Sequence, residues 1–298
     1  LRLIWRLLIL AVLFVVTITI LAISISVGFE HGTRILSTLP GGSLISLLAA
    51  LISVWLAARF IDRRPWADYG MHLNWHWWLD LGYGLALGAF LMTIIALAEW
   101  RMGWITITTT FRTPSPGDSY WIEILLPLLG FLCVGIYEEL LFRGYLIRNL
   151  AEGFTMPQIG ARYALHIAWI LSSVIFGLAH GANPNSSSIS SINLILAGLG
   201  LGLAYVLTGE LAIPIGIHIT WNLFQGTVFG FPVSGQDFSQ TTLIAIAQHG
   251  DELWTGGRFG PEAGIIGILA MGAEVLLILT WVWLRHRHIA LQTMLTTR

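Results

Sequence analysis

The stretch 124-ILLPLLGFLCVGIYEELLFRGYLIRNL-150 decides how this chain is read. Its first part, 124-ILLPLLGFLCVGI-136, carries no charge, and then Glu138, Glu139 and Arg143 arrive together. A charged side chain at mid-membrane costs roughly 2.5–3.5 kcal/mol on insertion scales, so such residues mark function by default. Glu139 and Arg143 stand four apart, share a helix face and can pair. Glu138 points about 100° away and lacks that partner. A carboxylate held from water without a cation is placed to act as a general base. A salt bridge at the end of a span explains Glu139 and Arg143 but leaves Glu138 unexplained.

Working outward, the whole sequence is oily. Of 298 residues 56% are hydrophobic and 10% charged, where soluble domains run near 25% charged. The expectation is an all-α polytopic membrane protein, one membrane domain over 1–298. About eight spans are read, at 7–28, 42–60, 78–98, 121–142, 163–181, 189–207, 211–230 and 263–284, forming a bundle with an intramembrane polar cavity. The first resembles a signal peptide, but its apolar core exceeds the ~7–15 residues of a secretory leader, so it is expected to stay as a membrane helix. The polar, Gly-rich connection at 231–262 is read as a loop, with a lid as the alternative. The net charge is −1 and no basic tail exists, which argues against nucleic acid. Cys133 is the single cysteine, so no internal disulfide can form, and it is read as small apolar filler.

All fifteen basic residues are arginine. Arg2, Arg6, Arg59, Arg63, Arg64, Arg143, Arg148, Arg162, Arg285, Arg287 and Arg298 fall on one side. Arg34, Arg101, Arg112 and Arg258 fall on the other. The positive-inside rule then puts both termini in the cytoplasm.

Other polar residues sit inside predicted spans. In 176-FGLAHGANP-184, Phe176 lies one turn from His180 and can buttress the imidazole. In 214-PIGIHITWNLFQG-226, His218 and Asn222 share a face and can both donate toward one point, as oxyanion-stabilising groups do. Packing or interhelical hydrogen bonding explains each alone. Their joint presence on three helices favours a site. Glu274 stands mid-span and is read as a glutamic acid hydrogen-bonded between helices, with Arg143 or a polar cavity as other partners.

With these residues in view, the sequence resembles the CAAX-prenyl-endopeptidase and bacteriocin-processing family of intramembrane proteases. The signature E-E-x-x-x-R, F-x-x-x-H and H-x-x-x-N/D stands here as 138-EELLFR-143, 176-FGLAH-180 and 218-HITWN-222. The family core would cover about 118–230, and 59-RFIDRRPWADYGM-71 is similar to a cytoplasmic segment of bacterial members. The resemblance implies peptide-bond hydrolysis in the membrane of a bacterium. Glu138 would be the base, with His180 its partner on the attacking water. Glu139 and Arg143 would orient the site, and His218 and Asn222 would stabilise the oxyanion. The substrate would be a membrane-associated or lipid-linked peptide or protein. A zinc site of Glu138, His180 and His218 is the alternative chemistry; H-E-x-x-H is absent and the metal-free route is favoured. A proton-coupled transporter or an idle scaffold or immunity protein are the competing functions.

Depth is the difficulty. With spans as drawn, Glu138, His180 and His218 miss one another by about 15–20 Å at 1.5 Å per residue. The remedy is longer helices: the fourth running past Arg143 toward Asn149, and 158–166 extending the fifth.

Overall fold

The computed structural model describes residues 3–297; Arg2 and Arg298 of the orientation argument lie outside the described residues. Among the described residues seven helices are long and apolar enough to cross a membrane. They are α1 (Leu3–Gly28), α2 (Leu39–Asp62), α3 (Trp75–Arg101), α4 (Tyr120–Phe154), α5 (Gly160–Ala182), α6 (Ser188–Thr208) and α8 (Ile265–His286). Between the last two runs α7, residues 212–228, an α-helix that finishes as a π turn. This is the predicted span at 211–230. It is too short to count with the others, and every residue from Ala212 to Trp221 is buried. It lies inside the bundle rather than against lipid.

Glycine lets α7 sit there. A Cβ on Gly135 of α4 would lie 2.6 Å from Ile219 Cγ1, and one on Gly216 of α7 would lie 2.6 Å from the Leu81 carbonyl. Both helices therefore approach α7 backbone to backbone, as small residues allow in membranes. Local signals set the helix ends. Thr38 and Asn74 cap α2 and α3 by accepting from Gly41 and Trp77. Ser187 and Ser190 form a reciprocal capping pair at α6, and left-handed Gly209 closes that helix.

At one end of the bundle a buried polar network ties α1, α2 and α4 together. Arg6 Nη1 donates to Glu152 at 2.8 Å and to Asn149 at 3.2 Å. Tyr69 donates to Asp62 at 2.6 Å, and Arg148 to the Asp68 carbonyl at 2.7 Å. Arg148 also reaches the Thr297 carbonyl at 3.2 Å, so the first and last described residues share this end.

The opposite end carries a feature absent from the sequence reading. β1 (Ile105–Arg112) pairs antiparallel with β2 (Thr242–Gln248), Ile105 opposite Gln248 and Arg112 opposite Thr242. The signal was present in 105-ITITTT-110, an alternation of β-branched residues. β2 belongs to the 231–262 connection, which is therefore a pinned structure rather than open loop.

Candidate active site

The depth difficulty resolves through the α4–α5 hairpin. α4 runs on to Phe154, α5 starts at Gly160, and the turn lies between them. Counted from that turn, Glu138 lies about 24 Å along α4 and His180 about 30 Å along α5, at 1.5 Å per residue. The two are nearly level. The α6–α7 turn lies deeper, since Tyr205 near it reaches the Gly144 carbonyl at 3.5 Å. His218, a short way into α7, therefore arrives at the same height. The helix turns π over Leu140–Ile147, directly after Glu139. Such widenings concentrate at functional sites.

Glu138 Oε2 lies 3.8 Å from His180 Nε2 and 3.9 Å from His218 Nε2. Both separations exceed a direct hydrogen bond, and both suit one bridging water. Tyr137 donates its hydroxyl to Glu138 Oε1 at 3.0 Å, a contact the sequence reading did not find. Glu138 is 9% exposed, while Glu139 and Arg143 are fully buried.

Each imidazole is fixed from behind. His180 Nδ1 meets the Phe176 carbonyl at 2.8 Å, and His218 Nδ1 meets Glu139 Oε1 at 2.7 Å. A carbonyl and a carboxylate only accept, so both Nδ1 atoms carry protons and both Nε2 atoms face Glu138. Glu139 also accepts from Arg143 Nη1 at 2.8 Å. Arg143 Nη2 reaches the Gly198 carbonyl at 3.4 Å, and the guanidinium carbon stands 4.2 Å from the Phe176 ring centroid. Phe176 in turn lies 4.7 Å from the His180 ring. The aromatic therefore buttresses the imidazole, as its spacing suggested.

His180, His218, Glu138 and Asn222 border one open cavity of about 600 Å3. Its far walls come from Thr38, Ser43 and Ser46 on the α2 side and Phe131 and Phe142 on α4. The Asn222 amide makes no hydrogen bond to a described side chain or backbone atom, which leaves it free toward the cavity. Glu274 follows the polar-cavity alternative rather than the expected hydrogen bond between helices. It is 2% exposed, and its Oε1 has no hydrogen-bond partner. Among the described residues no hydrogen bond to a neighbouring helix or to Arg143 holds it. It lines a smaller cavity of about 60 Å3 behind His180 and His218 instead. Cys133 is buried and free of any disulfide among the described residues.

The donor chemistry of two Nε2 atoms and a carboxylate suits zinc, and their spacing is wider than the edges of a closed zinc site. A tetrahedral site with bonds of ~2.1 Å has edges of roughly 3.4 Å, shorter than the 3.8 and 3.9 Å observed. Among the described residues no group of three or more His, Cys, Asp or Glu side chains meets metal-holding geometry.

The 231–262 connection lines the cavity through Val233, Ser234, Gln236 and Phe238 and is anchored there by Glu262. Ser234 N donates to Glu262 Oε1 at 2.5 Å, and Gln225 Nε2 donates to Oε2. Asn183 and Asn185 donate to the Ser234 and Gly235 carbonyls at 2.9 and 3.0 Å. Glu262 stands outside the spans, and burial pushes its carboxyl up from 4.5 to about 7. Below pH 4.5 folded and unfolded chains both carry that proton. Between 4.5 and about 7 only the folded chain does, so stability falls as pH rises across this window and levels off above it. Amide exchange at 233–236 therefore quickens from pH 5 to pH 8. Glu262→Gln removes that stabilising titration from the pH profile, once intrinsic exchange is corrected; an identical profile in both proteins refutes the assignment.

Comparison with known proteins agrees with the motif reading. Residues 120–224 match the family described as Type II CAAX prenyl endopeptidase Rce1-like. The uncharacterized protein YyaK of Bacillus subtilis is 25% identical over 189 residues, covering 61% of this chain and 58% of that protein. The chain thus spans less than two thirds of that relative's length. No solved structure matches the chain.

Proposed function

On the premise that residues 120–224 form a segment of the Rce1-like family of type II CAAX prenyl endopeptidases, we propose that this protein is an intramembrane endopeptidase with Glu138 as its base. One observation carries the reading: the Glu138 carboxylate and both Nε2 atoms converge at 3.8 and 3.9 Å beside an open cavity.

The chemistry follows from the fixed protons. Water held between Glu138 Oε2 and His180 Nε2 gives its proton to Glu138 as its oxygen attacks the scissile carbonyl carbon. The carbonyl π electrons move to oxygen. Asn222 donates its amide N–H to that oxyanion. His218 joins it when protonated at Nε2, a cation that Glu139 at 2.7 Å would stabilise. Glu138 then returns the proton to the leaving amine as the C–N bond breaks. Glu139 and Arg143 act as positioning residues, holding His218 and the Phe176 ring.

The cavity walls, hydroxyl-bearing on α2 and aromatic on α4, suit an extended membrane-associated or lipid-linked peptide. The arginine asymmetry supports cytoplasmic ends, and the membrane we infer is the plasma membrane of a bacterium. A proteomic comparison of cells carrying the native chain and Glu138→Gln tests the function: uncut membrane proteins accumulate only in the variant. Identical proteomes, or a proton flux that depends on Glu138, would favour the transporter reading.

The wide carboxylate–imidazole spacing favours a metal-free route. Cleavage is expected to survive exhaustive dialysis against a zinc chelator. Loss of activity that added zinc restores would return Glu138, His180 and His218 to the role of ligands.

A further inference from the structure

The Asp62 end of α2 carries a basic hollow that the proposed peptidase chemistry does not use. The last turn of α2 is a π-helix over Ala57–Asp62, and Arg63 then adopts a left-handed conformation at φ 54° and ψ 50°. The widened turn and the reversal bring Arg59, Phe60, Arg63, Arg64 and Pro65 around one open hollow of about 580 Å3. Left-handed backbone is uncommon for a residue other than glycine, so the chain accepts strain to fold back here.

Charge in the hollow is unbalanced. Asp62 is occupied by Arg6, Tyr69 and Asn149. Glu152 is occupied by Arg6, Arg64 and Arg148. Among the described residues no carboxylate pairs with Arg59 or Arg63, and both are exposed. The Arg64 side chain is only 5% exposed, yet its Nε and Nη1 have no acceptor. Buried guanidinium donors without acceptors are costly.

An apolar groove adjoins the hollow. Leu51, Ile52, Trp55 and Trp66 line about 340 Å3. Trp66 follows Pro65 of the hollow, and Arg59 stands one turn beyond Trp55. Trp55 and Phe60 are 53% and 62% exposed, with ring centroids 6.3 Å apart. Exposed aromatics beside arginine at the end of a span belong to the headgroup level of a bilayer.

We propose that this end of α2 binds an anionic phospholipid. Its phosphate lies between Arg59 and Arg63 above Arg64, and one acyl chain lies in the groove of Leu51, Ile52, Trp55 and Trp66. Guanidinium forks match phosphate oxygens in shape and charge. A free phosphate would leave the groove unfilled, and a zwitterionic lipid would leave the arginine charge unmatched.

The test uses the purified full chain in detergent and native mass spectrometry. Phosphatidylglycerol, phosphatidylcholine and inorganic phosphate are titrated separately. Phosphatidylglycerol is expected to bind about tenfold to thirtyfold tighter than phosphatidylcholine, the effect of two juxtamembrane arginines. Arg59→Gln with Arg63→Gln, both at the surface, reduces it to the phosphatidylcholine level. Trp55→Ala weakens both lipids. Unchanged phosphatidylglycerol affinity in the double variant overturns the proposal, as does equal binding of the two lipids by the parent. Inorganic phosphate that displaces phosphatidylglycerol at equal concentration also overturns it, since the hollow would then be a plain anion site. None of these readouts requires peptidase activity.

Discussion

Glu138→Gln protein folds normally and cleaves peptide at least about a hundredfold more slowly than the native chain. Proton transfer by a positioned side chain contributes roughly 10²–10⁴ in rate. Glutamine keeps the size of Glu138 and an oxygen for the Tyr137 hydroxyl, which donates at 3.0 Å. It cannot take the proton from water between Oε2 and the imidazoles at 3.8 and 3.9 Å. Initial rates on a purified substrate, with thermal unfolding in the same detergent, separate chemistry from folding. A variant that cleaves at the native rate removes Glu138 from the mechanism.

The second large effect is on stability. Arg143→Met leaves Glu139 buried with His218 as its sole remaining side-chain partner, because the guanidinium at 2.8 Å is gone. Breaking one half of a buried ion pair costs roughly 3–5 kcal/mol. The contact with the Phe176 ring and the bond to the Gly198 carbonyl are lost as well. Reversible unfolding in mixed micelles should show this loss. Glu139→Gln added to Arg143→Met recovers much of it, because the orphaned charge is then absent. Native stability in Arg143→Met would mean that the pair is relaxed by solvent and does not hold the site.

The sequence exposed the spans because lipid demands about 20 apolar residues at a time, a requirement written locally. It exposed Glu138, Glu139, Arg143, His180, His218 and Asn222 because polar groups stand out in oil. Their convergence was harder to read. The helix boundaries placed Glu138 near a span end, whereas α4 runs from Tyr120 to Phe154 and leaves it mid-helix. A membrane helix that projects beyond its neighbours changes from apolar to mixed composition, so hydropathy ended the span at 142, and only the need to bring Glu138 level with the histidines pointed to a helix running on toward Asn149. Tyr137 and Glu262 were missed because their roles depend on partners that only folding supplies. Tyr137 meets the residue beside it through a side-chain rotation, and Glu262 meets Gln225 across a long connection. Glu274 was visible as a charge in a span, but its place behind the histidines came from packing.

The burial of α7 bears on how the protein is made. Its 17 residues, 212–228, contain His218, Asn222 and Gln225, and such a segment has little drive to partition into lipid by itself. During synthesis it follows α3 and α4, whose glycine-lined flanks form its slot. Its entry therefore depends on the earlier helices already standing in the bilayer, with α8 arriving after it. Substitutions that narrow the slot at Gly135 would act on assembly in the translocon, reducing the amount of mature protein before any change in turnover could be seen.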